Sequence, residues 1–185
     1  MIKSISLETP LSSAETEKLR VGDRILLNGV IYTGRDTAHK RLFELAMQGK
    51  DLPFNISGQV IYYAGPTPPK PGQAIGSAGP TTSYRMDAFT PRLIELGLKG
   101  MIGKGQRSEQ VIEAIKKFKA VYFGATGGAG ALIAKSIIKA EVAAYEDLGP
   151  EAILKLEVKN FPLIVINDTI GNDLYIEGIK KFTKL

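Results

Sequence analysis

The chain has 185 residues, 44% of them hydrophobic and 23% charged, enough for one substantial core, so residues 1–185 are expected to form one domain. It contains no cysteine and one histidine, which excludes disulfides and thiolate metal sites within the chain and argues against a self-contained zinc site; no metal ligands are assigned. The net charge of +5 arises from cations mixed with acids rather than from a basic stripe interleaved with aromatics, so anionic small molecules fit better than nucleic acid as partners.

The opening "MIKSISLETP" has no apolar stretch of the signal-peptide kind, and no membrane-spanning apolar run follows; the chain is expected in the cytoplasm, without a membrane partner. "SSAETEKLRVGD" predicts a short helix ended by a turn at Gly22 and Asp23. "RILLNGVIYTGRD" places two apolar β runs around Asn28-Gly29, a dipeptide that signals a hairpin. In "DTAHKRLFELAMQGK", Leu42, Leu45 and Ala46 fall at helical spacing, with Asp36 as N-cap and Gly49 as the stop, leaving Arg35 at a strand-to-helix junction.

"GQVIYYAG" predicts a buried strand that runs into "PTPPKPGQAIGSAGPTTS", where Pro66, Pro68, Pro69 and Pro71 forbid regular structure. Thr90 and Pro91 suit the N-cap and first turn of a helix closing at Gly97; "LKGMIGKG" follows as a short strand and glycine turn. Ser108 caps a helix with Val111, Ile112, Ile115 and Phe118 on one face. "AVYFGATGGAGALIAKSIIKAEVAAYEDLG" reads as strand, glycine turn, helix and strand, and "FPLIVINDTIGNDLYIEG" as two closing β runs. The sum is α/β with a mixed sheet.

Gly124, Gly127 and Gly130 have a GxxGxxG spacing between strand and helix, with Glu146 and Asp147 further on. That context admits a dinucleotide site, yet it comes late in the chain and too little follows for the second half of such a fold, so close packing is the favoured reading. Arg35, Arg85, Lys104 and Arg107 each sit at the edge of a regular element, on a loop containing glycine. Two arginine forks and a lysine suit a dicarboxylate, although each cation taken singly reads as a solvated surface charge. Thr81 and Thr82 read as loop caps, or as hydroxyls activated by neighbouring cations. His39 reads as a residue on the first exposed turn of its helix, able also to orient Arg35 or to meet substrate.

The segments "GRDTAHKRL", "GQVIYYAGPTPPKPGQAIGSAGPTTSYRMD", "GMIGKGQRS" and "AYEDLGPEAI" resemble the β subunit of class I fumarase and of the related L(+)-tartrate dehydratase, nearly end to end. The resemblance implies a swivelling β/β/α fold and a cysteine-containing α subunit that carries a 4Fe-4S cluster, assembled as α2β2. It implies reversible hydration of fumarate to L-malate, or the tartrate reaction as the near alternative, with the dinucleotide-binding oxidoreductase the distant one. On the matching motifs it gives Arg35, Arg85 and Lys104 to the substrate's carboxylates and Thr81 to the role of base, with His39, Thr82 and Arg107 as secondary contacts. The acid partner would come from the α subunit. Tyr84 stands where a small residue, often glycine, would be expected before Arg85.

Overall fold

The computed structural model describes residues 4–183. In chain order these form β1 (Ile5–Glu8), α1 (Ser13–Thr16), β2 (Arg24–Thr33), α2 (Asp36–Met47), β3 (Val60–Tyr62), a 3-10 turn at Ser83–Met86, α3 (Thr90–Glu95) and β4 (Gly100–Gly103). There follow α4 (Glu109–Phe118), β5 (Val121–Gly124), α5 (Gly130–Ala134), β6 (Ile137–Ala144), a 3-10 stretch at Glu146–Glu151, β7 (Ile153–Asn167) and α6 (Leu174–Phe182). Among the described residues no helix is long and apolar enough to cross a membrane.

The strands form one mixed sheet in the order β1-β2-β3-β4-β5-β7-β6, and a further β2–β7 pairing closes it into a barrel. β2 to β5 run parallel, while β7 lies antiparallel to both β2 and β5. β3, β4 and β5 are buried along nearly their whole length, which is why they read as unbroken apolar runs. Their side chains divide between two cores. Val60, Tyr62, Ile102, Val121 and Phe123 pack with Leu27, Ile31, Phe161 and Val165 of the long strands. Ile61, Tyr63, Met101 and Tyr122 point the other way, onto Leu42, Leu93, Ile94, Val111 and Ile115 of α2, α3 and α4.

Two local expectations are corrected. Asn28-Gly29 is not a hairpin turn but a bulge inside a single strand, marked by a register shift against β7 between Leu27 and Gly29. Gly29 has φ +91°, and a Cβ there would lie 2.6 Å from Thr9 Oγ1, so the site demands glycine for reasons unrelated to a turn. The Asn28 amide donates to the carbonyls of Leu7 and Leu26, and its side-chain oxygen accepts from the Asn160 amide. At the other end, "FPLIVIN" is the second half of β7 rather than a separate run, and "LYIEG" is helical. The Asp173 carboxylate starts that helix by accepting from the amides of Tyr175 and Ile176.

Helix starts also shift by one residue. Arg35, not Asp36, occupies the N-cap of α2 and makes no side-chain capping bond. Thr90 falls inside α3, where its hydroxyl donates to the Met86 carbonyl at 2.8 Å. Both displaced caps, Asp36 and Thr90, have found partners elsewhere.

Candidate active site

Arg35, the Thr81–Arg85 segment and Lys104 all follow the C-terminal ends of neighbouring parallel strands, β2, β3 and β4. That is the end of an α/β sheet at which loops gather and ligands bind. The backbone draws these loops together. Gly34 donates to the Tyr62 carbonyl at 3.0 Å, Thr81 to the Tyr63 carbonyl at 2.6 Å, and Ser83 to the Lys104 carbonyl at 2.9 Å. Thr82 and Lys104 pair as an isolated parallel bridge, so the two threonines extend the sheet past the end of β3.

Asp36 links the two arginines. Its Oδ1 lies 2.7 Å from Arg85 Nε, and its Oδ2 lies 3.9 Å from Arg35 Nε. Arg35 Nη2 also reaches Glu151 Oε1 at 3.3 Å. A Cβ on Gly65 would lie 2.8 Å from Arg35 Nη1, so the glycine after β3 makes room for the guanidinium. Arg85 thus faces an acid of this chain through Nε and Arg35 through Nη2, while Arg35 Nε is buried without a hydrogen-bond partner. Lys104 is exposed and, among the described residues, pairs with no carboxylate.

The glycine-rich loop after β5 has two jobs. A Cβ at Gly130 would lie 2.6 Å from Ser77 Oγ and 2.8 Å from the Gly79 amide, and one at Gly124 would lie 2.9 Å from Ile166. These two serve close packing, as the sequence suggested. Gly127 is uncrowded and borders the Lys104 side chain, its would-be Cβ 3.9 Å from Nζ.

His39 is not on an exposed turn; it is fully buried. Its Nδ1 lies 3.0 Å from the Arg35 carbonyl, and because a carbonyl only accepts, Nδ1 carries the proton. Its ring meets Tyr63 edge-on at 5.0 Å. Burial pulls the imidazole down to about 4, against the opposing effect of the hydrogen bond it donates to the Arg35 carbonyl, so the ring is neutral at pH 7. His39 thus contacts Arg35 through its backbone, from within the core. Arg107 is likewise no surface contact, since its side chain is 0% exposed.

Asp36 and Glu151 were not anticipated as partners of the arginines. For Asp36 the signal was its place next to Arg35, where a capping role masked it; Glu151 lies too far along the chain for any local pattern to reveal it. The pockets flanking the proline-rich loop, against α5 and against β6, are lined by none of Arg35, Thr81, Arg85 or Lys104. Arg85 and Lys104 are exposed, whereas the Arg35 side chain is only 24% exposed.

Comparison with known proteins adds the lineage. The family model described as Fumarase C-terminus matches residues 1–178. The chain is 42% identical over 175 residues to the aerobic class I fumarate hydratase of Escherichia coli K12, covering 92% of this chain and 32% of that protein. It is 38% identical to fumarate hydratase 2 of Leishmania major over 92% of this chain and 31% of the relative. It is 40% identical to the putative L(+)-tartrate dehydratase subunit beta of Methanocaldococcus jannaschii, covering 92% of this chain and 91% of the relative. The chain thus spans about a third of the fumarate hydratases it matches, but nearly all of the dehydratase subunit. Because the family match takes in every described strand together with Arg35, Thr81, Arg85 and Lys104, the chain belongs to the fumarase C-terminus family.

Proposed function

We propose that this chain is the dicarboxylate-binding β subunit of a hydro-lyase that hydrates fumarate reversibly to L-malate. The observation that carries this reading is the arrangement of Arg35 and Arg85 on the two sides of Asp36, beside the Thr81–Thr82 strand extension and Lys104. With its Nε turned to Asp36, Arg85 has its terminal nitrogens available for one substrate carboxylate, while Lys104 offers a mobile charge for the other. Thr81 lies in the same segment and is assigned the role of the base that removes the proton from carbon.

The chain itself does not fit an iron–sulfur cluster. It has no cysteine, and among the described residues no group of three or more His, Cys, Asp or Glu side chains is placed to hold a metal. The 4Fe-4S cluster is accordingly assigned to a cysteine-containing α subunit, with an α2β2 assembly in the cytoplasm. The exposure of Arg85 and Lys104 is consistent with a site completed by another chain. This chain's part is to bind and orient the dicarboxylate and to move one proton.

The full-length match to a tartrate dehydratase subunit supports a second reading, L(+)-tartrate dehydration on the same clamp. Copurifying the chain with its α partner under anaerobic conditions and measuring steady-state rates on fumarate and L-tartrate separates the two. Preferential turnover of fumarate is expected. Preferential turnover of L-tartrate selects the second reading, and a complex inert on both substrates removes the hydro-lyase assignment.

A further inference from the structure

Beneath the cation-bearing face lies a buried polar cluster centred on Arg107. Its Nε donates to Asp87 Oδ1 at 2.7 Å, and its Nη2 to Thr90 Oγ1 at 3.1 Å and Tyr63 OH at 3.4 Å. The guanidinium lies over the rings of Tyr122 and Tyr63, 4.9 and 5.3 Å from their centroids. Asp87 Oδ2 accepts the Ser108 amide at 2.5 Å. Tyr122 OH donates to the Gly105 carbonyl at 2.9 Å and meets Ser83 Oγ at the same distance. On its far side the Gly105 amide donates to Tyr175 OH at 3.1 Å.

These contacts join two short segments. Ser83, Asp87 and Thr90 bracket the turn that presents Arg85, whereas Gly105, Arg107 and Ser108 form the turn that presents Lys104. An apolar side chain would fill the space without the cost of burying a charge, but it could not fix the direction of the three bonds to Asp87, Thr90 and Tyr63. Burial presses the guanidinium toward its neutral form, yet Tyr63, Asp87 and Tyr122 outweigh this and its pKa lies above the ordinary arginine value. It is a permanent buried cation.

We propose that Arg107 is a positioning residue that holds the Arg85 turn and the Lys104 turn at one fixed separation and so sets the carboxylate-to-carboxylate span that the clamp accepts. The inference rests on the dicarboxylate reading above. It predicts that loosening the cluster weakens substrate binding and blurs discrimination by length, effects that simple loss of stability does not produce.

The test uses the intact complex with its α subunit, comparing wild type with Arg107→Met, Arg107→Lys and Tyr122→Phe. KM and kcat for fumarate are measured beside competitive inhibition by succinate and the one-carbon-longer glutarate. Wild type should prefer succinate. Arg107→Met should raise KM roughly tenfold or more with a smaller change in kcat, bring the two inhibition constants toward equality, and be partly rescued by Arg107→Lys. If Arg107→Met does not fold, Tyr122→Phe decides: it keeps the ring but deletes the bonds to Ser83 and Gly105, and should shift KM and the inhibition ratio several-fold the same way. Variants with a lowered melting temperature but unchanged KM and inhibition ratio would overturn the proposal, as would a wild type indifferent to length. A wild-type complex inactive on fumarate and tartrate points instead to failure of the functional reading, and the positioning role falls with it.

Discussion

Arg35 and Arg85 would repel each other if left alone on one face, and Asp36 between them lets two like charges share a small surface. Since Arg85 faces Asp36 through Nε, Arg85→Lys keeps the charge but loses the planar fork. KM should rise about tenfold, equivalent to about 1.4 kcal/mol, with little change in melting temperature. Thr81→Ala should divide the parameters the other way, lowering kcat by about 10²-fold or more with KM nearly unchanged. Steady-state kinetics on the two variants reads both; unchanged turnover in Thr81→Ala would return that hydroxyl to a loop-capping role.

His39 gives a pH signature at the same scale. Its folded pKa of about 4 lies below the usual 6.5, so the unfolded state binds the proton more readily. The contribution of the neutral, buried ring is therefore complete above about pH 6.5 and is lost as pH falls toward 4. Between pH 7.5 and pH 5 the wild type should lose about 2 kcal/mol more stability than His39→Gln. Urea melts at the two pH values measure the difference, and parallel losses in both proteins would show that His39 does not set the acid response.

At the scale of elements, the bulge in β2 shows how one local signal serves two structures. Asn-Gly supplies a left-handed backbone position, and a hairpin turn or a bulge can use it equally well. The two apolar runs flanking it continue along one line because both halves of β2 pair with the same partner, β7, on either side of the register shift. Gly29→Ala should destabilise the chain by about 2 kcal/mol, from positive φ and from crowding against Thr9. Equilibrium denaturation tests this, and a neutral result would require the bulge to rearrange. The last helix departs from the β run expected there for a related reason. "LYIEG" is β-rich in composition, but Asp173 caps it and Leu174 and Tyr175 pack on the helical layer. A short segment takes its state from what it packs against.

For the whole molecule, the exposure of Arg85 and Lys104 predicts weak, salt-sensitive binding. The isolated chain should bind fumarate or L-malate poorly by calorimetry, with affinity falling as ionic strength rises, whereas the complex should saturate at much lower concentration. Tight binding by the isolated chain at high salt would mean that its site is already closed. The sequence by itself determined the α/β class, the buried parallel strands, the loops bearing Arg35, Thr81, Arg85 and Lys104, and the family, because apolar runs, glycine and proline punctuation and long motifs are local features of the chain. Only the tertiary structure decided that the sheet closes through β2 and β7, that His39 and Arg107 lie inside rather than at the surface, and that Asp36, Glu151 and Asp87 are the groups that orient the arginines. Those outcomes depend on contacts between residues far apart in the chain, and burial and charge pairing are set when the layers meet.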